Sequence, residues 1–228
     1  MKILHTADLH LRWFDWVAEQ APHYDLLVIA GDLLDRFADV PMHTQVEQCS
    51  DWLLSLRTPT VVCSGNHDFW PQPRTGSVDP DAEGAWLRRL RGKGNIVAID
   101  GDTINAGELK IAVNGWLQVP AMSSGHVDII VSHAPPKGCA CAIGGADEHD
   151  NGDSQLWDVL RWDPPSLLLA GHIHDPRKRW CRWPPINPKT LVVVPGFVAY
   201  ATTPAHWVID TAARTAKHSS RGKAVSYR

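Results

Sequence analysis

The sequence predicts an α/β sandwich in which two mixed β-sheets face each other and helices cover the outside. Short continuous apolar runs, typical of strands buried on both faces, alternate with helical patterns. The runs end in glycine or polar turns at 2–7, 25–30, 60–64, 109–114, 127–132, 166–170 and 190–194. Helices are predicted at roughly 13–21, 43–57, 81–91 and 153–161. Strands dominate after residue 95, with hairpin turns expected at 100–102 and 105–107.

Length and charge are those of an ordinary globular domain. The chain has 228 residues, of which 44% are hydrophobic and 21% are charged, enough to bury a substantial core. We expect one domain over residues 1–210. A basic C-terminal tail follows over 211–228, which contains no acidic residue and is predicted to be a solvated, partly disordered end.

Composition also limits the partners. The net charge of −3 gives no global attraction for nucleic acid, so any such affinity would come from local patches. No leader pattern and no membrane-length apolar run are seen, so we expect a cytoplasmic protein without membrane contact. The pair Cys139-Ala140-Cys141 is interpreted as two reduced loop thiols, with a redox pair or a soft-metal site as the alternative.

Polar side chains follow the predicted strands, where ligands bind in open α/β sheets. They are carboxylates, imidazoles and one amide, a donor set suited to Mn, Fe, Zn or similar ions and too large for one ion. Two ions sharing a carboxylate would clamp both oxygens of a phosphoryl displacement. Glycines precede three of the motifs and would allow close backbone approach. The motifs are Asp8-Leu9-His10, Gly31-Asp32-Leu33-Leu34-Asp35, Gly65-Asn66-His67-Asp68, Ser132-His133 and Gly171-His172-Ile173-His174.

In this order the motifs resemble the pattern of the calcineurin-like metallophosphoesterase superfamily, and they span residues 8 to 174. The resemblance implies a four-layer αββα sandwich of two mixed β-sheets flanked by helices. It also implies a dinuclear phosphoesterase in which a metal-bridging hydroxide attacks phosphorus in line. Two divalent ions are expected, with manganese the first choice and iron, zinc or cobalt open.

The resemblance also implies a role for each residue. One ion would be held by Asp8, His10 and His174, the other by Asn66, His133 and His172, and Asp32 would bridge both. His67 would protonate the leaving group while Asp35 hydrogen-bonds this histidine, and Arg36 could bind phosphate or be a surface arginine. Asp68 is interpreted as a structural hydrogen-bond acceptor.

The substrate is left more open than the chemistry. Residues 2–11 look like the start of bacterial DNA-repair exonucleases, whereas Ser132-His133-Ala134-Pro135-Pro136 is similar to small single-domain phosphodiesterases. The second resemblance and the short chain favour a compact phosphodiesterase or phosphatase. A nuclease, a protein phosphatase and a non-catalytic module remain alternatives, and the oligomeric state is not indicated. The Arg/Trp segment 177–183 is predicted to be a hairpin with inward tryptophans, with nucleic-acid binding as the alternative.

Overall fold

The structure is a computed structural model that describes residues 1–69, 86–116, 118, 125–184, 189–220 and 222–227. Its α-helices are α1 (Phe14–Gln20), α2 (Met42–Ser55) and α3 (Ser154–Trp162). Its first eight strands are β1 (Lys2–Thr6), β2 (Leu26–Ala30), β3 (Thr60–Cys63), β4 (Ile96–Ala98), β5 (Thr103–Ala106), β6 (Leu109–Asn114), β7 (Ile129–Ser132) and β8 (Ile143–Gly144). The others are β9 (His149–Asp150), β10 (Leu167–Leu169), β11 (Trp180–Trp183), β12 (Thr190–Val193), β13 (His206–Asp210), β14 (Thr215–His218) and β15 (Val225–Ser226).

Two large mixed sheets form the molecule. The first has seven strands in the order β15-β14-β13-β1-β2-β3-β4, and the second has six in the order β11-β12-β10-β7-β6-β5. A two-stranded ribbon joins β8 to β9. Strands β1 to β4 run parallel, as do β6, β7, β10 and β12.

Three apolar clusters define the layers. The central cluster contains Ile3 and Val28 of the first sheet together with Val131 of the second. Alternate residues of the first sheet point outward into a second cluster with helices α1 and α2. The outer face of the second sheet forms a third cluster with α3, through Leu156 and Leu160. Because each sheet is covered on both faces, its strands read as continuous apolar runs. The predicted four-layer αββα sandwich is confirmed.

Sheet direction places the polar motifs on one rim. Asp8 follows β1, Asp32 follows β2 and Asn66 follows β3. On the facing sheet, His133 follows β7 and His172 follows β10. Since these strands are parallel within each sheet, their carboxyl ends present the motifs to the space between the two sheet edges.

Some local predictions were wrong. The turn at 100–102 is not a hairpin, because β4 pairs with β3 in one sheet while β5 pairs with β6 in the other. The turn at 105–107 does join a hairpin, β5–β6. The helix predicted at 81–91 is a 3-10 helix over Trp86–Leu90, and its residues 81–85 lie outside the described residues.

The C-terminal segment is also not the expected solvated end. Strand β14 pairs with β13, and β15 pairs with β14, so this segment extends the first sheet. Asp210 closes the β13–β14 turn by accepting hydrogen bonds from the N–H groups of Ala212 and Ala213. The apolar signal of β14 is weak because Ala216 is its single buried residue. Arg221 and Arg228 lie outside the described residues.

The Arg/Trp segment forms edge strand β11, paired antiparallel with β12. Trp183 packs inward as predicted, whereas Trp180 is 42% exposed. In the part of the chain that the structure describes, no helix has the length and apolar character that a membrane crossing requires.

Candidate metal centre

The structure brings the strand-end motifs together as two donor sets that share one carboxylate. The first set combines Asp8, His10 and His174 with Asp32, and its candidate donor atoms lie within 4.8 Å of one another. The second combines Asp32 with His133 and His172 within the same limit. Asp32 is buried at the junction of both sets.

In the first set, the ring nitrogens of two histidines lie close to each other and to two carboxylates. Nε2 of His10 lies 3.2 Å from Nε2 of His174 and 3.8 Å from Oδ2 of Asp32. Nε2 of His174 is in turn 3.8 Å from Oδ1 of Asp8. Two imidazole nitrogens and two carboxylates thus face one small volume, which is the chemistry of a cation site.

In the second set, the amide oxygen of Asn66 lies close to the ring nitrogens of two histidines. Oδ1 of Asn66 lies 3.0 Å from Nε2 of His133 and 2.9 Å from Nδ1 of His172. Nε2 of His133 is also 3.4 Å from Oδ2 of Asp32. The sequence-predicted ligands of the second ion therefore lie together, around the same side of the shared carboxylate.

Backbone groups orient these candidate ligands. Nδ1 of His10 donates to the carbonyl of Leu34 at 3.1 Å, and Nδ1 of His133 donates to that of Ala30 at 2.8 Å. In the neutral His10 ring this bond places the proton on Nδ1 and leaves the Nε2 lone pair facing the centre. Burial opposes charging of His133, but the charge of Asp32 raises the pKa of that ring to about 9, so a bound ion would displace its Nε2 proton. The N–H of His172 donates to the carboxylate of Asp8, which fixes that side chain across the two sheets.

The backbone of the site is strained. Asp8, His10, Asp32 and His172 have φ angles of 55°, 45°, 54° and 69°, in the left-handed region that residues with a Cβ rarely adopt. Each such residue costs about 1–2 kcal/mol. Strain of this kind concentrates where a site fixes side-chain direction, so the four angles indicate function rather than stability.

Glycines make room for the strand ends to meet. A Cβ at Gly65 would collide with the Asp32 carboxylate, and one at Gly171 would lie 2.8 Å from the carbonyl oxygen of Ala30. Gly31 has φ 83°, and a Cβ there would overlap the ring of His133. The predicted need for close backbone approach before the candidate ligands is confirmed.

Burial sets the electrostatics of the centre. It raises the pKa of Asp8 to about 8, although the charge of His133 opposes this. Burial lowers the pKa of His10 to about 4 and that of His172 to about 3, so both imidazoles are neutral at pH 7. Burial would also raise the pKa of Asp32, but the charge and hydrogen bond of His133 hold it below its ordinary value.

This combination fits divalent cations. Neutral imidazoles are the metal-binding form, and a fully buried carboxylate such as Asp8 needs a positive partner to remain ionised. Carboxylate, imidazole and amide donors without a thiolate suit ions of the Mn, Fe and Zn type.

His67 borders the centre and points its ring toward the first donor set. Its ring centroid is 4.7 Å from that of His10. The backbone N–H of Arg36 donates to Nδ1 of His67 at 3.3 Å, so the neutral ring carries its proton on Nε2. Burial lowers the pKa of His67, partly offset by the nearby charge of Asp32.

Asp35 is near His67, but its contacts differ from the expected hydrogen bond. Asp35 and His67 offer donor atoms within 4.8 Å of each other, and Oδ1 of Asp35 accepts from the N–H of Phe37. Asp35 acts on His67 through its charge, which raises the pKa of that imidazole. The exposed Arg36 guanidinium acts in the opposite direction.

Asp68 has the structural role that the sequence favoured. Its Oδ1 accepts from the N–H groups of Leu33 and Leu34 at 2.8 and 3.0 Å, and its Oδ2 accepts from that of Gly65 at 2.8 Å. The carboxylate thereby joins the two loops that carry Asp32 and Asn66.

Three aromatic residues at the rim were not singled out from the sequence. The Trp116 ring is 5.1 Å from that of His172, Phe197 is 4.6 Å from His174, and Phe37 is 5.6 Å from His67. Phe37 is 87% exposed. No local motif marks them, since they come from separate loops that meet only in the fold.

A cavity of about 330 Å³ opens over the centre. It is lined by Asp32, Asn66, His67 and the segment His172 to Asp175. Gly144, Gly145 and Asn151 also line it. This volume is of the size that holds a small ligand.

Comparison with known proteins agrees with this geometry. A sequence model described as calcineurin-like phosphoesterase matches residues 1–176. The 3',5'-cyclic adenosine monophosphate phosphodiesterase CpdA of Escherichia coli K12 is 27% identical over 163 residues, which cover 67% of this chain. The match spans 56% of that relative, little more than half its length.

Solved structures share the fold at low identity. TT1561 of Thermus thermophilus has a TM-score of 0.62 at 14% identity, with 95% of this chain and 97% of that chain covered. Purple acid phosphatase PPD1 from yellow lupin seeds has a TM-score of 0.58 at 13% identity, with 100% of this chain and 53% of that chain covered.

Proposed function

The chain belongs to the calcineurin-like phosphoesterase family, a family of hydrolases acting on phosphoester bonds, and we propose that it hydrolyses small phosphodiesters with two divalent metal ions. The observation that carries this proposal is the position of Asp32 between two donor sets. A single carboxylate shared in this way can hold two ions at the short separation that a two-metal phosphoryl site uses.

The chain's own residues divide into three roles. Asp8, His10 and His174 would hold one ion, and Asn66, His133 and His172 the other, with Asp32 between them. When bound, the two ions supply Lewis acidity to the phosphoryl group and a nucleophilic water at neutral pH. Manganese is the first choice for the pair, with iron, zinc or cobalt as alternatives.

His67 would donate the proton that the leaving oxygen needs. As the imidazolium it would carry protons on both ring nitrogens and give one to the leaving oxygen, which returns it to the neutral ring whose Nδ1 accepts from the backbone N–H of Arg36. Asp35 favours the protonated ring through its charge. The Arg36 guanidinium is exposed beside this ring and would bind a non-bridging phosphate oxygen.

The size of the cavity and the aromatic rings beside the site histidines support a small phosphodiester as the substrate. A volume of about 330 Å³ suits a small ester. Trp116 and Phe37 provide aromatic surfaces beside His172 and His67, on which a base could stack. The similarity to a cyclic AMP phosphodiesterase makes a cyclic nucleotide the first substrate to test.

The test is a substrate and metal screen. The protein, stripped of metal and reloaded separately with Mn, Fe, Zn or Co, is assayed on cyclic nucleotides, bis-p-nitrophenyl phosphate, p-nitrophenyl phosphate and single-stranded DNA. We expect metal-dependent turnover of the diesters to exceed that of the monoester. Absence of hydrolysis with every metal would contradict the proposal and favour a non-catalytic module. Preference for the phosphomonoester would favour a phosphatase.

A nuclease is the second candidate because of one groove. The groove has a volume of about 750 Å³, and four basic residues line it together with Trp180, namely Lys178, Arg179, Arg182 and Lys223. Cations beside an exposed tryptophan suit a single-stranded nucleic acid. Cleavage of single-stranded DNA that weakens steeply with salt would support this function. If replacing the basic residues of the groove with acidic ones leaves the rate of DNA cleavage unchanged, this surface has no role in nucleic-acid binding.

A further inference from the structure

Outside the candidate metal centre, three cysteine side chains meet. Cys139 and Cys141 belong to the loop that precedes β8, and Cys181 lies forty residues beyond Cys141 on edge strand β11. Their Sγ atoms are all within 4.8 Å of one another. Cys139 and Cys141 are buried, whereas Cys181 is partly accessible.

The backbone holds this cluster in place from two sides. Cys181 is paired with Val192 in the sheet, and the Sγ of Cys141 lies 3.8 Å from the carbonyl oxygen of the same Val192. The loop and the edge strand thus hold the three sulfurs close together.

We propose that Cys139, Cys141 and Cys181 bind one thiophilic d10 metal ion as a structural clamp. At a Zn–S bond length of about 2.3 Å, tetrahedral geometry requires sulfur atoms about 3.8 Å apart. The three sulfurs lie within 4.8 Å of one another, so binding an ion would require each pair to approach by about 1 Å or less. The proposal does not rest on the phosphoesterase function.

Donor chemistry separates this site from the catalytic centre. Three sulfurs select Zn²⁺ or Cu⁺, whereas the oxygen and nitrogen donors around Asp32 suit harder ions. Within the residues described, no His, Asp or Glu joins the three cysteines, so a fourth ligand would be a water or a backbone carbonyl. Zn²⁺ neutralises two of three thiolate charges and Cu⁺ neutralises one, so a partly buried site favours Zn²⁺.

Such an ion would also fix one wall of the cavity over the catalytic centre. The cysteine loop continues directly into Gly144 and Gly145, which line that cavity. The same stretch is hydrogen-bonded to the segment before β11. The N–H of Arg177 donates to the carbonyl oxygen of Ile143 at 2.8 Å, and the N–H of Gly145 donates to that of Asp175 at 3.2 Å. A metal joining the loop to β11 would reinforce this connection.

Cobalt substitution tests the site without relying on activity. The reduced, metal-free full-length protein is titrated anaerobically with Co²⁺, and the near-ultraviolet thiolate-to-cobalt charge-transfer band is recorded. The oxygen and nitrogen ligands of the catalytic centre give no such band. We expect one thiolate-bound cobalt per chain, displaced by Zn²⁺. Cys181→Ser should abolish the band, while Cys49→Ala, which removes a buried thiol outside the cluster, should keep it.

A second measurement covers the case in which a variant fails to fold. The wild-type protein is alkylated with and without Zn²⁺ or Cu⁺, and the modified cysteines are identified by peptide mass mapping. Metal-dependent protection of Cys181, the partly accessible thiol of the three, supports the site, and comparison of the two metals identifies the ion. Absence of both the cobalt band and metal-dependent protection in the reduced protein overturns it. Formation of a disulfide among the three thiols, without metal uptake after reduction, also overturns it.

Discussion

Replacing His67 with alanine should remove proton donation while leaving the metal ligands in place. The reason lies in the backbone: the N–H of His67, which alanine retains, donates to Oδ1 of Asp32 at 2.8 Å. A general acid contributes about 10²–10⁴-fold to turnover, or about 3–5 kcal/mol of barrier. Because burial lowers the pKa of His67 and reduces its protonated fraction, we expect a loss of about 10²–10³-fold.

The loss should depend on the leaving group. A cyclic nucleotide expels a poor alkoxide that needs a proton, whereas bis-p-nitrophenyl phosphate expels a stable phenolate that does not. The assay compares kcat/KM of wild type and His67→Ala on both substrates, with metal content measured on the same samples. His23→Ala, at an exposed histidine, serves as the control. Equal losses on both substrates, or loss of metal from the variant, would refute the acid role.

Four further predictions test separate parts of the site and fold. Asp32→Ala should lose both metal and activity; full metal stoichiometry in this variant would argue against a shared carboxylate. Arg36→Ala should raise KM for phosphate esters several-fold at unchanged metal content, with partial recovery in Arg36→Lys, as steady-state kinetics would show. Asp68→Ala leaves three buried backbone N–H groups without an acceptor and should reduce the free energy of unfolding by about 3 kcal/mol or more. Asp68→Asn should reduce the free energy of unfolding by less, as urea titrations would show. Burial lowers the pKa of His5 from 6.5 to about 4, so the unfolded state takes up a proton at a higher pH than the folded state does. The free energy of unfolding should therefore fall by up to about 3 kcal/mol as the pH drops from 6.5 to 4. Urea titrations of metal-free wild type and His5→Gln should show a different dependence of this free energy on pH, and equal dependences would contradict the prediction.

Much of the fold was predictable because both sheets are buried on both faces. That burial forces continuous apolar strands such as β2 and β7, and such runs can be recognised directly in the sequence. The connection at 100–102 was predicted wrongly. A hairpin turn within one sheet and a connection that crosses from one sheet to the other use similar residues, so the sequence does not distinguish them. Strand β14 was missed since only Ala216 faces the core, so its hydrophobic signal is small.

The site shows the same division between local and non-local information. Ligand motifs were visible because each lies beside a glycine or a polar turn at a strand end. The contact of Arg36 N–H with His67, in place of an Asp35 hydrogen bond, depends on loop geometry that residue types do not encode. Trp116 and the approach of Cys181 to Cys141 depend on which loops the sheets bring together. Such contacts between distant segments emerge only in the folded chain.

The central claim is that Asp32 lies between two ions. Crystals of the protein grown with Mn²⁺, measured at a wavelength where manganese scatters anomalously, test it directly. We predict two anomalous peaks about 3.5–4 Å apart, with the Asp32 carboxylate contacting both. One peak should touch Asp8, His10 and His174, and the other Asn66, His133 and His172. A single peak, or two peaks that do not share Asp32, would contradict the account.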